Sequence, residues 1–423
     1  MLGIIRKNLS TLREELGSYS SSQRAFIFFA MLCGFFICCE YSLVRPICNS
    51  IFIAHYTTKW LPYAWIAIVP FNFLMVSLYN RLIPKWGSKR LFVYLILVVM
   101  ASNLFIAFFL EMVPGLSFVF YMWKEVYVLL MFQLVWSVIH SNVNLKKAKY
   151  LYGIFYGIGG LGSMLGVSFP GFFAVAYGSE NLLFLTMPIY LLLLGVYWKM
   201  CSFCQGDVPN TEREEHGGFL HGLKLIKGSR FLVFALLIVV FMQMITAVVD
   251  FQFNDVLERF FPDRDTRTEY SARVLGAMHT ITVAMQFIGT YVIIKWMGFR
   301  NAHYFVPAAL AVFAGLLAVF PVFPIASLMF VSCKCLDFSV FGVVKEMLYV
   351  PLKPDEKFRA KAVIDVFAYR TSKAFASLLI ILVTSLVSTN MLSWLSILIA
   401  FAWILSVSYG MREYQKQIEV ESA

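Results

Sequence analysis

The sequence predicts an all-α membrane protein with twelve transmembrane helices in two six-helix bundles. Three observations carry this reading. Hydrophobic residues make up 60% of the 423-residue chain and charged residues only 14%, against about 25% charge in a soluble domain. Long apolar runs alternate with short gaps that gather Lys and Arg, and motifs recur half a chain apart. The net charge of +11 is spread over those gaps, so nucleic acid is not an expected partner. The first 24 residues are polar and mixed in charge, and no short apolar core with a small-residue cleavage site precedes the first long apolar run, so no cleaved signal peptide is expected. The eight cysteines are scattered and form no secreted disulfide framework.

A spanning helix needs about 20 mostly apolar residues. Twelve runs qualify, at roughly 25–53, 61–80, 91–110, 118–140, 150–176, 181–198, 231–253, 272–296, 302–320, 323–352, 363–388 and 391–410. Basic residues set the orientation. Arg81, Lys85, Lys89 and Arg90 follow span two, and Lys146, Lys147 and Lys149 follow span four. Lys295 and Arg300 follow span eight, and Lys353, Lys357, Arg359 and Lys361 follow span ten. The opposite gaps are nearly free of them. The exception, 254–271, is expected to be a loop mixing Arg259, Arg264 and Arg267 with Asp255, Glu258, Asp263, Asp265 and Glu269. Both termini are therefore expected in the cytoplasm. The organisation reads as a cytoplasmic segment 1–24, a bundle 25–198, a linker 199–230, a second bundle 231–410 and a tail 411–423.

The halves echo each other. "KWGSKR" (85–90) pairs with "KWMGFR" (295–300), an offset of 210 (85 to 295). "KAKYLYGIF" (147–155) pairs with "RAKAVIDVF" (359–367), an offset of 212 (147 to 359). Two related six-helix halves are the architecture of major facilitator transporters, and "NRLIPKWGSKR" resembles their basic loop between spans two and three.

Charge inside a membrane marks function, because it is costly and faces a partner or a cavity. Span one carries Glu40 and Arg45, span four Lys124 and Glu125, span seven Asp250, and span ten Lys334, Asp337, Lys345 and Glu346. Spans one, four, seven and ten line the cavity in a major facilitator bundle, whereas three, six, nine and twelve have almost no charge. Lys334, Asp337, Phe341 and Lys345 stand at i, i+3, i+7 and i+11, one stripe of about 16 Å on a regular helix. Lys345 could instead snorkel to the surface. Lys124 and Glu125 lie about 100° apart, so only one is expected to face a cavity squarely, with outer-surface snorkelling as the alternative. Asp250 could be a solvated helix end, and Asp365 with Arg370 could form a structural pair.

Span five reads "GIFYGIGGLGSMLG", where Gly153, Gly157, Gly160 and Gly166 allow close helix contact. No strand precedes these glycines and no GK[ST] follows, so they are not a phosphate loop. Cys201-x2-Cys204 with His216-x4-His221 approaches zinc-finger spacing. Cys201 emerges directly from a span, however, and the intervening stretch lacks a finger's apolar core positions. No metal site, cofactor or catalytic centre is read.

"KEMLYVPLKPDEKFRAKAVIDVFAYRTSK" closely resembles the signature region of the non-mitochondrial ATP/ADP translocases of plastids and obligate intracellular bacteria. Lys345, Glu346, Met347, Tyr349, Pro351, Leu352, Lys361, Ala362, Asp365, Arg370 and Lys373 match in order. "GLKLIKGSRFLVFALLIV" (222–239), "FNDVLERFFPDRDTRTEYSA" (253–272) and "WKEVYVLLMFQLVW" are similar to further family segments. The chain departs at Cys48, where the family has a lysine, at Asp250 for glutamate, at Asn254 for lysine, and at Asp337 where a lysine often stands.

The resemblance implies a nucleotide transporter in a bacterial inner membrane. It would work by alternating access, as ATP/ADP exchange or nucleotide import, with the lipid bilayer and a small-molecule substrate as its partners. Arg45, Lys124, Lys334 and Lys345 would bind substrate, Arg45 and Lys345 at its phosphate. Glu40, Glu125, Asp250, Asp337, Glu346, Asp365 and Arg370 would balance charge, gate the site or carry protons as a coupling ion. A proton-coupled permease for a less anionic metabolite is the alternative. A scaffold or sensor would not need charge concentrated on spans one, four, seven and ten.

Overall fold

A computed structural model describes residues 19–110, 112–142, 149–204, 224–286, 290–349, 363–364 and 369–422. Among these residues the secondary structure is helical, with no strand. The helices are α1 (Ser21–Tyr56), α2 (Leu61–Phe109), α3 (Leu116–Asn142), α4 (Lys149–Tyr177), α5 (Thr186–Ser202), α6 (Arg230–Phe260), α7 (Arg264–Ala284) and α8 (Thr290–Val319). They continue as α9 (Phe323–Leu336), α10 (Gly342–Leu348), α11 (Tyr369–Leu386) and α12 (Met391–Ser422). Nine stretches among the described residues are long and apolar enough to cross a membrane. Large apolar side chains stay exposed along them, including Phe73, Leu74, Trp296, Leu398 and Phe401, as a lipid-facing surface requires. This is a multi-pass integral membrane protein.

Local chemistry sets the helix limits. α1 opens with a reciprocal capping box. The Ser20 backbone N–H donates to Gln23 Oε1 at 3.1 Å, and the Gln23 N–H donates to Ser20 Oγ at 3.2 Å. α6 starts behind Ser229, whose hydroxyl accepts from the Leu232 N–H. α2 has 49 residues, about 73 Å if straight and more than twice a bilayer core. It bends at Gly87 (φ 71°, ψ 159°), and α8 bends at Gly298 with nearly the same angles (φ 74°, ψ 166°). Positive φ at these angles is accessible essentially to glycine alone. The bends lie 211 residues apart (87 to 298), inside the two "KW" motifs, so the sequence repeat is also a repeat of backbone conformation.

The expected loop 254–271 is a correction. α6 continues to Phe260 and α7 begins at Arg264, which leaves three residues between them. The charges that look like loop composition instead pair along helices. Arg259 meets Asp255 one turn away at 2.5 Å, and Arg273 pairs with Glu269 at the same spacing.

The chain divides into two compact units. The first comprises 1–52, 70–212 and 264–276; the second comprises 53–69, 213–263 and 277–423. The core of the first packs Phe26, Ile37, Phe92, Tyr127, Leu134 and Tyr197. Within it α4 lies directly against α1. A Cβ on Gly162 would fall 2.2 Å from the Phe35 carbonyl oxygen, and one on Gly166 1.9 Å from that of Cys39. The small-residue face is therefore a backbone contact, as expected at Gly166, and it also runs through Gly162. Arg264 pairs with Glu180, and the Ser179 N–H donates to Asp265 at 2.9 Å, fixing the start of α7 to the turn after α4. The second unit is built around α6, which is buried on all sides between Gln243 and Asn254. The buried stretch carries polar groups as well as apolar ones, among them Gln243, Asp250 and Gln252, and α11 and α12 pack against the helix.

Candidate functional site

In the first unit, α1 and α3 bring together the charges expected on spans one and four. Lys124 is buried, and its ammonium meets Glu125 Oε1 at 2.8 Å. It also sits 4.4 Å from the centre of the Tyr121 ring, a cation–π contact. Tyr41, on α1, donates to Glu125 Oε1 at 3.3 Å. Glu40 is fully buried and accepts from the Tyr127 hydroxyl at 2.7 Å. Tyr190 lies within electrostatic reach of this carboxyl, and the Asn103 amide donates to the Tyr190 hydroxyl at 3.4 Å. Arg45 stands half-buried one turn beyond Tyr41, and the buried Cys48 follows it.

One alternative falls away here. Lys124 is buried while Glu125 stays 30% exposed, so Lys124 does not reach the outer surface. The flexible lysine stem turns so that neighbouring residues close an ion pair, and a buried Lys124 cannot be snorkelling. The buried phenols and the amide that serve Glu40 were missed, because single tyrosines in an aromatic-rich chain give no periodic signal.

In the second unit, Lys334 on α9 pairs with Asp250 on α6 at 2.9 Å, with side-chain exposures of 8% and 12%. Asp250 is therefore a buried ion-pair partner, not a solvated helix end. The Lys334 ammonium also lies 5.8 Å from the Phe330 ring, which stacks on Phe253 at 4.3 Å. Asn254 donates its amide to the Asp250 carbonyl oxygen at 2.7 Å, and Thr246 contacts Cys333 at 3.6 Å. Asp337 is buried, near Gln243, and within electrostatic reach of Lys334, Lys345 and Asp250.

The expected straight stripe through Lys334, Asp337, Phe341 and Lys345 is interrupted. Asp337–Phe341 form a π turn between α9 and α10, where the Ser339 hydroxyl donates to the Cys335 carbonyl oxygen. Wider turns at functional sites are a recurrent device, and here the turn rotates everything after it away from the 3.6-residue register. Lys345 ends half-buried and Glu346 exposed on α10. Asp365 lies outside the described residues, as do His216 and His221, and of Arg370 only the backbone is described.

Each unit thus holds a lysine–carboxylate pair with a further buried carboxyl nearby. Burying two charges is tolerated when they pair and hydrogen-bond well, while an isolated partner is costly. Such groups can exchange partners with an incoming anion or rearrange together. A sequence profile of the TLC ATP/ADP transporter family matches residues 199–414.

The chain belongs to that family.

Over 221 residues it is 25% identical to ADP,ATP carrier protein 2 of Chlamydia trachomatis, covering 46% of this chain and 41% of that one. Against ADP,ATP carrier protein 5 of Rickettsia felis, identity is 19% over 465 residues, covering 89% and 91%. The match thus spans less than half the length of the Chlamydia carrier and nearly all of the Rickettsia one. Among solved structures, a variant of the nucleoside transporter NupG superposes with a TM-score of 0.69 at 10% identity, over 90% of this chain and 99% of that one. A D-xylose–proton symporter superposes at 0.64 and 13% identity, over 90% and 96%. This TLC-family chain therefore shares the major-facilitator-type fold of those transporters.

Proposed function

We propose that the chain is a secondary transporter that carries nucleotides across its membrane by alternating access, as ATP/ADP exchange or nucleotide import. The observation that carries this is the family match over 199–414, which contains the Lys334–Asp250 pair and Asp337. The ADP,ATP carriers of Chlamydia and Rickettsia support it through their names, and the nucleoside transporter through its fold.

In this reading the chain has twelve spans. The bends at Gly87 and Gly298 separate spans two from three and eight from nine, in bundles 25–198 and 231–410 flanked by segments 1–24, 199–230 and 411–423. The membrane is a bacterial inner membrane with both termini in the cytoplasm. Arg45, Lys124, Lys334 and Lys345 engage the phosphates. Lys124 and Lys334 each reach substrate only by releasing a carboxylate, Glu125 or Asp250, so both pairs serve as exchangeable counter-ions. Glu40, Asp337, Glu346, Asp365 and Arg370 balance charge, and Glu40 and Asp337 are the places for a coupling proton. Uptake into proteoliposomes from a panel of labelled nucleotides, amino acids and sugars tests the proposal. Accumulation of nucleotides above protein-free vesicles supports it, and uptake of another class alone overturns it.

A further inference from the structure

A cleft of about 550 Å³ opens in the second unit where α6 begins and α12 nears its end. Lys227, Arg230 and Arg412 line it as cations, Phe234 and Tyr409 as an aromatic wall, and, among the described residues, Glu413 as the single carboxylate. The three cations are exposed and, among the described residues, form no ion pair. Phe234 and Tyr409 stack at 5.9 Å with an interplanar angle of 11°, and the Arg412 guanidinium lies 5.9 Å from the Tyr409 ring centre. Gly410 permits this wall, since a Cβ there would come within 3.2 Å of Phe234.

Position selects the ligand. Arg230 is the first residue of one candidate span, and Arg412 and Glu413 close another that ends at Gln415. The cleft therefore sits at the level where apolar helix surface gives way to water. From it an apolar track leads back along α12, with Tyr409 55% exposed, Leu405 46% and Phe401 61%, one turn apart each. A small soluble anion would use the cations and leave this track uncovered. A phospholipid uses both, with its phosphate on Lys227, Arg230 and Arg412 and its acyl chain along the track. We propose that this cleft binds the headgroup of an anionic phospholipid. Basic pockets between spanning helices are suited to such headgroups, and each nearby cation adds to the attraction.

The test is native mass spectrometry of the full chain released from mild detergent, with phosphatidylglycerol or phosphatidylcholine added at equal concentration. The wild type should retain one phosphatidylglycerol at about tenfold or more the occupancy of phosphatidylcholine, whose phosphate is offset by its own choline cation, as expected where several cations face a net anionic headgroup. The variant K227Q/R230Q/R412Q should lose that preference, whereas R230K/R412K, which keeps the charges, should retain it. Should the triple variant not survive purification, K227Q and R412Q singly should each lower the preference. Millimolar inorganic phosphate or ADP should leave the lipid in place. No preference in the wild type, full preference in the charge-removed variants, or displacement by phosphate or ADP would each overturn the proposal, the last by showing a site for a soluble anion.

Discussion

The Lys334–Asp250 pair gives the sharpest energetic prediction. Its ammonium–carboxylate separation is 2.9 Å, and both side chains are nearly buried. At an effective dielectric constant near 20, the attraction at that distance is about 6 kcal/mol before desolvation is subtracted. Desolvation consumes most of it, so the pair as a whole adds little to stability, but removing one partner strands the other. Asp250→Asn leaves a buried ammonium without its directly paired carboxylate, with only Asp337 nearby, and Lys334→Met leaves a buried carboxylate. Each should cost about 3–5 kcal/mol. The double variant removes both charges and should fall within about 2 kcal/mol of the wild type, since replacing a buried pair outright is often near neutral. Equilibrium unfolding in mixed micelles with rising SDS fraction, followed by helical circular dichroism, measures all four corners of the cycle. If the two single costs simply add in the double variant, the residues are not coupled and the ion pair does not form in the membrane protein.

Three further outcomes are expected. Lys345→Ala should insert and purify normally yet lower nucleotide uptake by at least about tenfold, as loss of a charge-assisted phosphate contact implies; wild-type uptake would make Lys345 a snorkelling residue. Gly166→Leu should reduce folded yield severely, because its Cβ falls 1.9 Å from a backbone oxygen; overpacking costs about 1–3 kcal/mol where the core can shift, and normal yield with an unchanged melting curve would show that α1 and α4 do not touch there. Cysteines placed singly at positions 355 and 263, with native cysteines removed, should label from the cytoplasmic and the external side respectively, and labelling from one side alone would break the twelve-span reading.

Much of the fold is legible in the sequence because membrane helices declare themselves by composition. The repeat was visible in "KWGSKR" and "KWMGFR", and its structural meaning is the matched bend at Gly87 and Gly298. The charge-bearing spans were also legible, since charge in apolar runs is conspicuous. Partner choice was not. The mixed charges of 254–271 read as a loop, yet i,i+4 pairing lets Asp255, Arg259, Glu269 and Arg273 decorate two helices. The π turn at 337–341 was invisible, because one widened turn leaves no residue signature, and it undoes a register argument built on 3.6 residues per turn. The phenols of Tyr41 and Tyr127 became distinguishable from 19 other tyrosines only through their distance to Glu125 and Glu40.

The central claim is nucleotide transport, and counter-exchange tests it most directly. Purified protein is reconstituted into vesicles loaded with unlabelled ATP, and labelled ADP is supplied outside. The account predicts uptake of label well above that of protein-free vesicles, and loss of that uptake in the Lys334→Met variant. Uptake no greater than in protein-free vesicles, with ATP inside or without it and whatever the pH difference across the membrane, would contradict it.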